Sequence, residues 1–355
     1  MEEQQWDDTP IAAAARRAAK VKNRTGLQLP KPERTRVLSV ANQKGGVGKT
    51  TSAVNLACAL AMHGLKVLVV DLDPQGNAST GLDVEHRAGT KSSYEVLIGN
   101  CTPDEAIQKS PASENLDCIP ATIDLAGAEI ELVSLVRREY RLSDALNEGF
   151  LKRHGYDYVL VDCPPSLGLL TINAQVFAKE VLIPIQCEYY ALEGVTQLLT
   201  NITMIRRHLN SDLHISAILL TMFDARTKLA HEVAAEVRDT FGDVVLANVI
   251  PRNVKVSEAP GFAKTVLNHD PGSPGAMAYL DAAKELALRG DYQPVPSTGP
   301  IGVSPAYAEQ VRMAEAAKEA EEKHDPDAED SFDDLSAELE QSTNDRDSNT
   351  EQGDN

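Results

Sequence analysis

The chain has 355 residues, 42% of them hydrophobic, with 34 basic against 53 acidic side chains and a net charge of −19 at neutral pH. That is enough apolar material for one large core, while no run of about 18 apolar residues marks a membrane span. The acid excess argues against a polyanionic partner until its distribution is read: residues 291–355 hold 18 acidic and 4 basic residues, leaving 35 and 30, a net of −5, for residues 1–290.

The opening MEEQQWDDTP lacks the basic-then-apolar order of a secretory signal, so a cytoplasmic protein is expected. The five cysteines (Cys58, Cys101, Cys118, Cys163 and Cys187) form no CxxC pair and the eight histidines no HExxH spacing. Buried reduced thiols, and no metal beyond a nucleotide-bound cation, are expected.

Residues 1–36 read as a flexible basic arm in which IAAAARRAAKVKNR forms a short helix. From Val37 short β-rich runs begin: VLSVAN (37–42), KVLVVDLD (66–73), YDYVLVDCP (156–164), VLIPIQ (181–186), HISAILLTMF (214–223) and VLANVIP (245–251). Near-continuous apolar strands of this kind belong to a parallel sheet covered on both faces. Helical stretches fall between them at 51–64, 124–146, 191–210 and 229–242, with a last one at 274–290. The expected architecture is a doubly wound α/β fold over residues 37–290, with a mostly parallel sheet and helices on both faces. The acidic, Ser- and Asp-rich residues 291–355 read as a disordered tail.

Directly after the first strand stands NQKGGVGKTT, residues 42–51. Gly45, Gly46 and Gly48 let backbone amides fold around phosphates, and the helix beginning near Lys49 points its positive end at them. Lys49 is placed to reach the β and γ oxygens and Thr50 to ligate Mg²⁺. The strict motif has glycine where this chain has Gln43, and a second lysine, Lys44, precedes the glycines. A lysine so near its own loop is free to serve a nucleotide on a facing subunit. The second strand ends in VVDLDPQGN, with Asp71 and Asp73 at the carboxyl end where open α/β sheets bind ligands. A third apolar strand ends in Asp162, and Pro164, Pro165 and Gly168 after it suggest a switch segment responsive to the γ-phosphate.

These three motifs, in this order, resemble the ParA/MinD family of deviant Walker ATPases, whose P-loop NTPase fold the chain is expected to share. Further runs, DLDPQGNASTGL, IPATIDLAGAEIEL, DCPPSLGLLTINA, QCEYYALEG, TMFDARTKL and VIPRNVKVSEAPGFAKTV, are similar to chromosomal ParA (Soj-type) proteins and extend the likeness over residues 37–290. The resemblance implies ATP and Mg²⁺ as cofactors, held by Lys44, Gly45, Gly46, Val47, Gly48, Lys49, Thr50 and Thr51, with Pro251 and Asn253 at the adenine. It implies that Lys44 reaches the partner subunit's phosphates, that Asp73 orients the attacking water with Lys44 and Lys49 completing the catalytic set, and that Asp71 and Asp162 join Thr50 around the metal. It also implies that Arg226 and Lys255 bind double-stranded DNA without sequence readout, arginine being usual at the second position. Lysine there keeps the charge and loses the bidentate fork.

The implied function is chromosome partitioning. An ATP-dependent homodimer grips nucleoid DNA and releases it on slow hydrolysis stimulated by a ParB-type centromere-binding protein; a polar scaffold protein is a further partner of some relatives. A MinD-like membrane-positioning ATPase needs a basic amphipathic C-terminal helix, whereas this chain ends in acid that an anionic leaflet repels. A metal-carrier ATPase needs paired cysteines at the dimer face. An operator-binding plasmid ParA needs a longer leader than 36 residues, and no late motif favours the small-molecule substrate of an amide ligase.

Overall fold

The computed structural model describes residues 28–290 apart from 190 and 192. Most of the expected N-terminal arm and all of the acidic tail lie outside the described residues. A seven-stranded sheet has the order β3-β4-β2-β5-β1-β6-β7. Its strands are β1 (Arg36–Val40), β2 (Val67–Asp71), β3 (Gln108–Lys109), β4 (Leu116–Ile119), β5 (Tyr158–Asp162), β6 (Glu180–Gln186) and β7 (His214–Thr221). Every neighbouring pair is parallel except β3 with β4 at one edge.

Strand residues alternate between two covered faces. Leu38, Val40, Val69, Leu160, Leu182 and Leu219 share a core with the helices Lys49–Met62 and Pro274–Leu288. Val37, Val159, Val161, Val181 and Ile183 are equally buried on the other side, where the helix Leu169–Phe177 packs between β1 and the helix Glu193–His208. Each such side chain contributes about 1.5–3 kcal/mol by leaving water. The doubly wound, mostly parallel architecture with helices on both faces is the one found. Because β2, β5 and β1 are neighbours, the three motif loops at their carboxyl ends lie side by side.

Two expected elements differ. The run 245–251 is not a strand, although isolated bridges join Val245 with Ile218 and Pro251 with Phe223. Leu246 N and Ile250 N donate to Ile218 O and Leu220 O at 2.8 Å, but between them the Glu285 carboxylate accepts from Ala247 N at 2.8 Å and from Asn248 N at 3.0 Å, which interrupts the ladder. The stretch 124–146 is two helices, Leu125–Val133 and Arg141–Ala145, separated by Arg137 in the left-handed region at φ +56°.

At the amino ends of the strands, Arg36 makes a bidentate pair with Glu180 at 2.8 and 2.6 Å and donates to Leu286 O at 2.9 Å. Both partners are almost wholly buried. Removing one leaves the other as an uncompensated buried charge, which typically destabilises by 3–5 kcal/mol. Glu180→Ala is therefore expected to lower unfolding stability by about 3–5 kcal/mol in denaturant titration, while Arg36→Lys, which loses the fork but keeps the charge, is expected to lose less.

Candidate nucleotide site and adjoining basic segments

Gly48 takes the left-handed conformation, φ +87°, and no side chain caps the helix that begins at Lys49. The first backbone amides of that helix are thus left for an anion. Three hydrogen bonds hold the loop: Asn42 Nδ2 to Pro184 O at 2.8 Å, Lys44 N to Asn42 Oδ1 at 3.0 Å, and Thr221 Oγ1 to Val47 O at 2.9 Å. The loop opens into a cleft of about 350 Å³ whose wall includes Gly45, Gly46, Gly48, Lys49, Thr50 and Thr51. Burial lowers the Lys49 pKa, and the carboxylates of Asp162 and Asp73 oppose that shift.

Asp73 also lines the cleft. Its turn is fixed by Gln75 N donating to Asp73 Oδ1 at 3.0 Å and by Gly76 N donating to Asp73 O at 2.9 Å. Gly76 sits at φ +62°, and a Cβ there would lie 2.9 Å from His86 Cδ2 and 3.2 Å from Ala121 O, so conformation and space both require glycine.

The other two aspartates are fully buried and paired in register across β2 and β5, but their surroundings differ. Asp71 Oδ1 accepts from Asp73 N at 3.1 Å, and Oδ2 accepts from Ser79 N at 2.8 Å and Ser79 Oγ at 2.7 Å. Asp71 therefore holds the Asp73 turn, with its oxygens taken up by protein donors, where the sequence placed it beside the metal. Burial pushes its pKa up to about 6 despite those donors. Neither oxygen of Asp162 has a complete hydrogen bond. Burial, with the Asp71 charge second, pushes its pKa well up, and the nearby Thr50 hydroxyl and Lys49 only partly offset this. A buried acid with two unused oxygens beside a threonine hydroxyl fits a divalent cation and its water shell, and the open glycine cradle fits a polyphosphate.

Lys44, Val47, Pro251 and Asn253 are not in the cleft wall. Val47 is buried under β7, and Asn253 caps the helix Val254–Glu258 by accepting from Lys255 N at 3.0 Å. Asn55, Met222, Pro260 and Lys264 line the cleft instead. Sequence reasoning passed over Asn55 although a lone amide inside the apolar run NLACALAM was a signal; nothing marked Met222, which holds φ +50°.

Arg226, on the loop after β7, and Lys255, in the helix Val254–Glu258, follow adjoining segments, since Phe223 N donates to Ile250 O and Arg252 N to Phe223 O, both at 3.0 Å. Both side chains are exposed, and each is already paired: Arg226 with Asp224 at 2.7 Å, Lys255 with Glu258 at 2.8 Å. The guanidinium holds the Asp224 carboxyl far below the usual range, and Lys255 lowers Glu258. Among the described residues no helix is long and apolar enough to cross a membrane, and no cluster of histidine, cysteine or acid forms a metal site.

A glycine loop at an uncapped helix start, an inward lysine and a buried acid on the neighbouring strand define a P-loop nucleotide-binding protein. A family model described as an AAA domain matches residues 35–215. The sporulation initiation inhibitor protein Soj of Bacillus subtilis is 52% identical over 255 residues, covering 72% of this chain and 99% of that protein. The chromosome partitioning protein ParA of Caulobacter vibrioides is 51% identical over 254 residues, covering 72% and 94%. Among solved structures, cobyrinic acid a,c-diamide synthase from Mycobacterium smegmatis, with bound ATP analog and magnesium, is 40% identical with a TM-score of 0.61 over 72% of this chain and 95% of that one. The cell division ATPase MinD of Pyrococcus furiosus is 27% identical with a TM-score of 0.59, covering 71% and 98%. The chain belongs to the Soj/ParA chromosome-partitioning proteins within the ParA/MinD-type P-loop ATPases.

Raised acid pKa values fix a sign for stability. A carboxyl whose folded pKa lies above its unfolded value favours the folded state below the ordinary carboxylate range, and that contribution is lost as pH rises through the raised value. For Asp71 the window runs from 3.8 to about 6; Asp162 shifts in the same direction. Asp162→Asn is expected to match the parent chain near the acid end, and to exceed it by about 1–3 kcal/mol once the parent acid ionises in the absence of metal. Melting curves across pH, with and without MgCl₂, check this, since the variant should also lose any stabilisation by magnesium.

Proposed function

We propose that the protein is a chromosome-partitioning ATPase that works as an ATP-dependent homodimer, binds DNA as a polyanion and releases it on hydrolysis. Lys44 carries the dimer reading. Its ammonium lies outside its own cleft and has no ion pair or hydrogen bond among the described residues, while Lys49 lines that cleft. A cation so placed suits phosphates presented by a second subunit.

Within one subunit the loop amides and Lys49 hold the phosphates and Asp73 orients the attacking water. Thr50 would ligate magnesium, and Asp162 would hold one of the metal's waters; the ion, when bound, neutralises phosphate charge. Asp71 keeps the Asp73 turn in place through Ser79. Catalysis of this type rests on placement and charge neutralisation more than on a strong base. Two subunits joined this way combine the Arg226 and Lys255 surfaces, and doubling the phosphate contacts steepens the response to both dimerisation and salt. A ParB-type partner that stimulates hydrolysis would separate the subunits and end the grip. Identity of 51–52% over nearly the whole length of two partitioning proteins favours this reading over amide ligation, suggested only by a 40% identical structure.

Lys49→Ala is expected to abolish ATP binding, and Lys44→Ala to retain it while losing the ATP-dependent dimer in light scattering. A dimer formed equally with and without ATP would remove the core of the proposal. Arg226→Ala is expected to weaken binding to random-sequence duplex DNA severalfold, to reduce its salt slope by about one unit for each phosphate no longer neutralised, and to leave nucleotide affinity unchanged. Lys255→Arg is expected to bind at least as well as the parent chain.

A further inference from the structure

The helix Leu169–Phe177 begins at Gly168, an N-cap with no side chain to accept from its first amides. Such an end carries unsatisfied donors and a partial positive charge. The Glu129 carboxylate, from the helix Leu125–Val133, lies against that end without bonding its amides. A Cβ on Gly168 would stand 1.8 Å from Glu129 Oε1 and 2.6 Å from its Cδ. Oε1 is shut off from solvent and has no hydrogen-bond partner. Gly168 itself has φ −74°, which any residue adopts, so glycine is required there by the carboxylate and not by the backbone.

The same short segment reaches the cleft. Thr171 Oγ1 donates to Ser166 O at 2.6 Å, tying the helix's first turn to the loop before it. Pro165, one residue further back, lines the cleft, and Asp162 ends the strand that leads in. Whatever fixes Gly168 therefore fixes Pro165.

We propose that Glu129 is a positioning residue for the chain that follows Asp162. Lodged over Gly168 at the start of the helix Leu169–Phe177, its carboxylate holds residues 164–168 where Pro165 closes the cleft wall. The role in nucleotide binding rests on the reading of that cleft given above, whereas the contact between Glu129 and Gly168 does not depend on it. Two substitutions break it by opposite means. Glu129→Ala deletes the carboxylate, and Gly168→Ala evicts it, since the new methyl claims its space and the end of a flexible side chain swings away. Changes that remove one and the same contact do not add.

The test is hydrogen exchange on the full chain without nucleotide, for Glu129→Ala, Glu129→Gln, Gly168→Ala and the Glu129→Ala/Gly168→Ala double variant. Amides of residues 164–172 are expected to exchange about three- to tenfold faster in every single variant, as befits loss of a charge at a helix start. The double variant is expected to match the singles, with the melting temperature of the whole chain lowered by only a few degrees. Additive effects, or unchanged exchange in the isosteric Glu129→Gln, would overturn the proposal. ATP titration of the same four proteins is expected to give a dissociation constant raised by a similar factor in each, about threefold. If the parent chain binds no ATP, the reading of the cleft fails while the exchange result still judges the contact.

Discussion

Asp71 and Asp162 stand in register on adjacent strands, both without exposure to water, and two carboxylates so placed cannot both be charged without help. Much of the carboxyl end of the sheet is arranged around that difficulty. Three protein donors attend Asp71, and in giving them Asp73 and Ser79 become fixed themselves. Asp162 receives no such donors. Only the Thr50 hydroxyl and Lys49 near by oppose the rise in its pKa. The asymmetry assigns different work to two aspartates that look alike in sequence.

The nucleotide loop and the two acidic strand ends were legible because each is a local pattern set between an apolar run and a helix, and sheet order then brings them together. What sequence could not give was the state of each oxygen. Asp71 and Asp162 both end strands, and only the course of the chain through Ser79 tells them apart. The strand Leu116–Ile119 was hidden by Asp117, whose carboxylate accepts from the Tyr156 hydroxyl at 2.8 Å and so tolerates burial. The run 245–251 misled in the opposite way: it has a strand's composition, and Leu246 N and Ile250 N do donate to the last strand, but the donors between them go to a glutamate, as in the Ala247–Glu285 bond. Gly168 stood out in sequence beside two prolines, while its carboxylate neighbour comes from a helix well upstream.

The basic loops have a related lesson in electrostatics. Arg226 and Lys255 are exposed yet balanced by acids on their own elements. A polyanion approaching them must exchange those partners for phosphates as well as displace condensed ions. Any contact made through such pairs is weak at each phosphate, because the gain is offset by the acid partner given up.

The sheet order bears on how the chain assembles as it leaves the ribosome. β1, made first, sits between β5 and β6 and pairs with nothing synthesised before Tyr158. Arg36 at its start also awaits Glu180 and the carbonyl of Leu286. The strand that launches the phosphate loop is thus among the first to emerge and the last to be enclosed, so most of the domain must be outside the tunnel before a working cleft exists. Contacts so distant in sequence slow folding and leave apolar strands uncovered meanwhile. A truncated product ending before Leu286 would carry every motif and still lack a closed core.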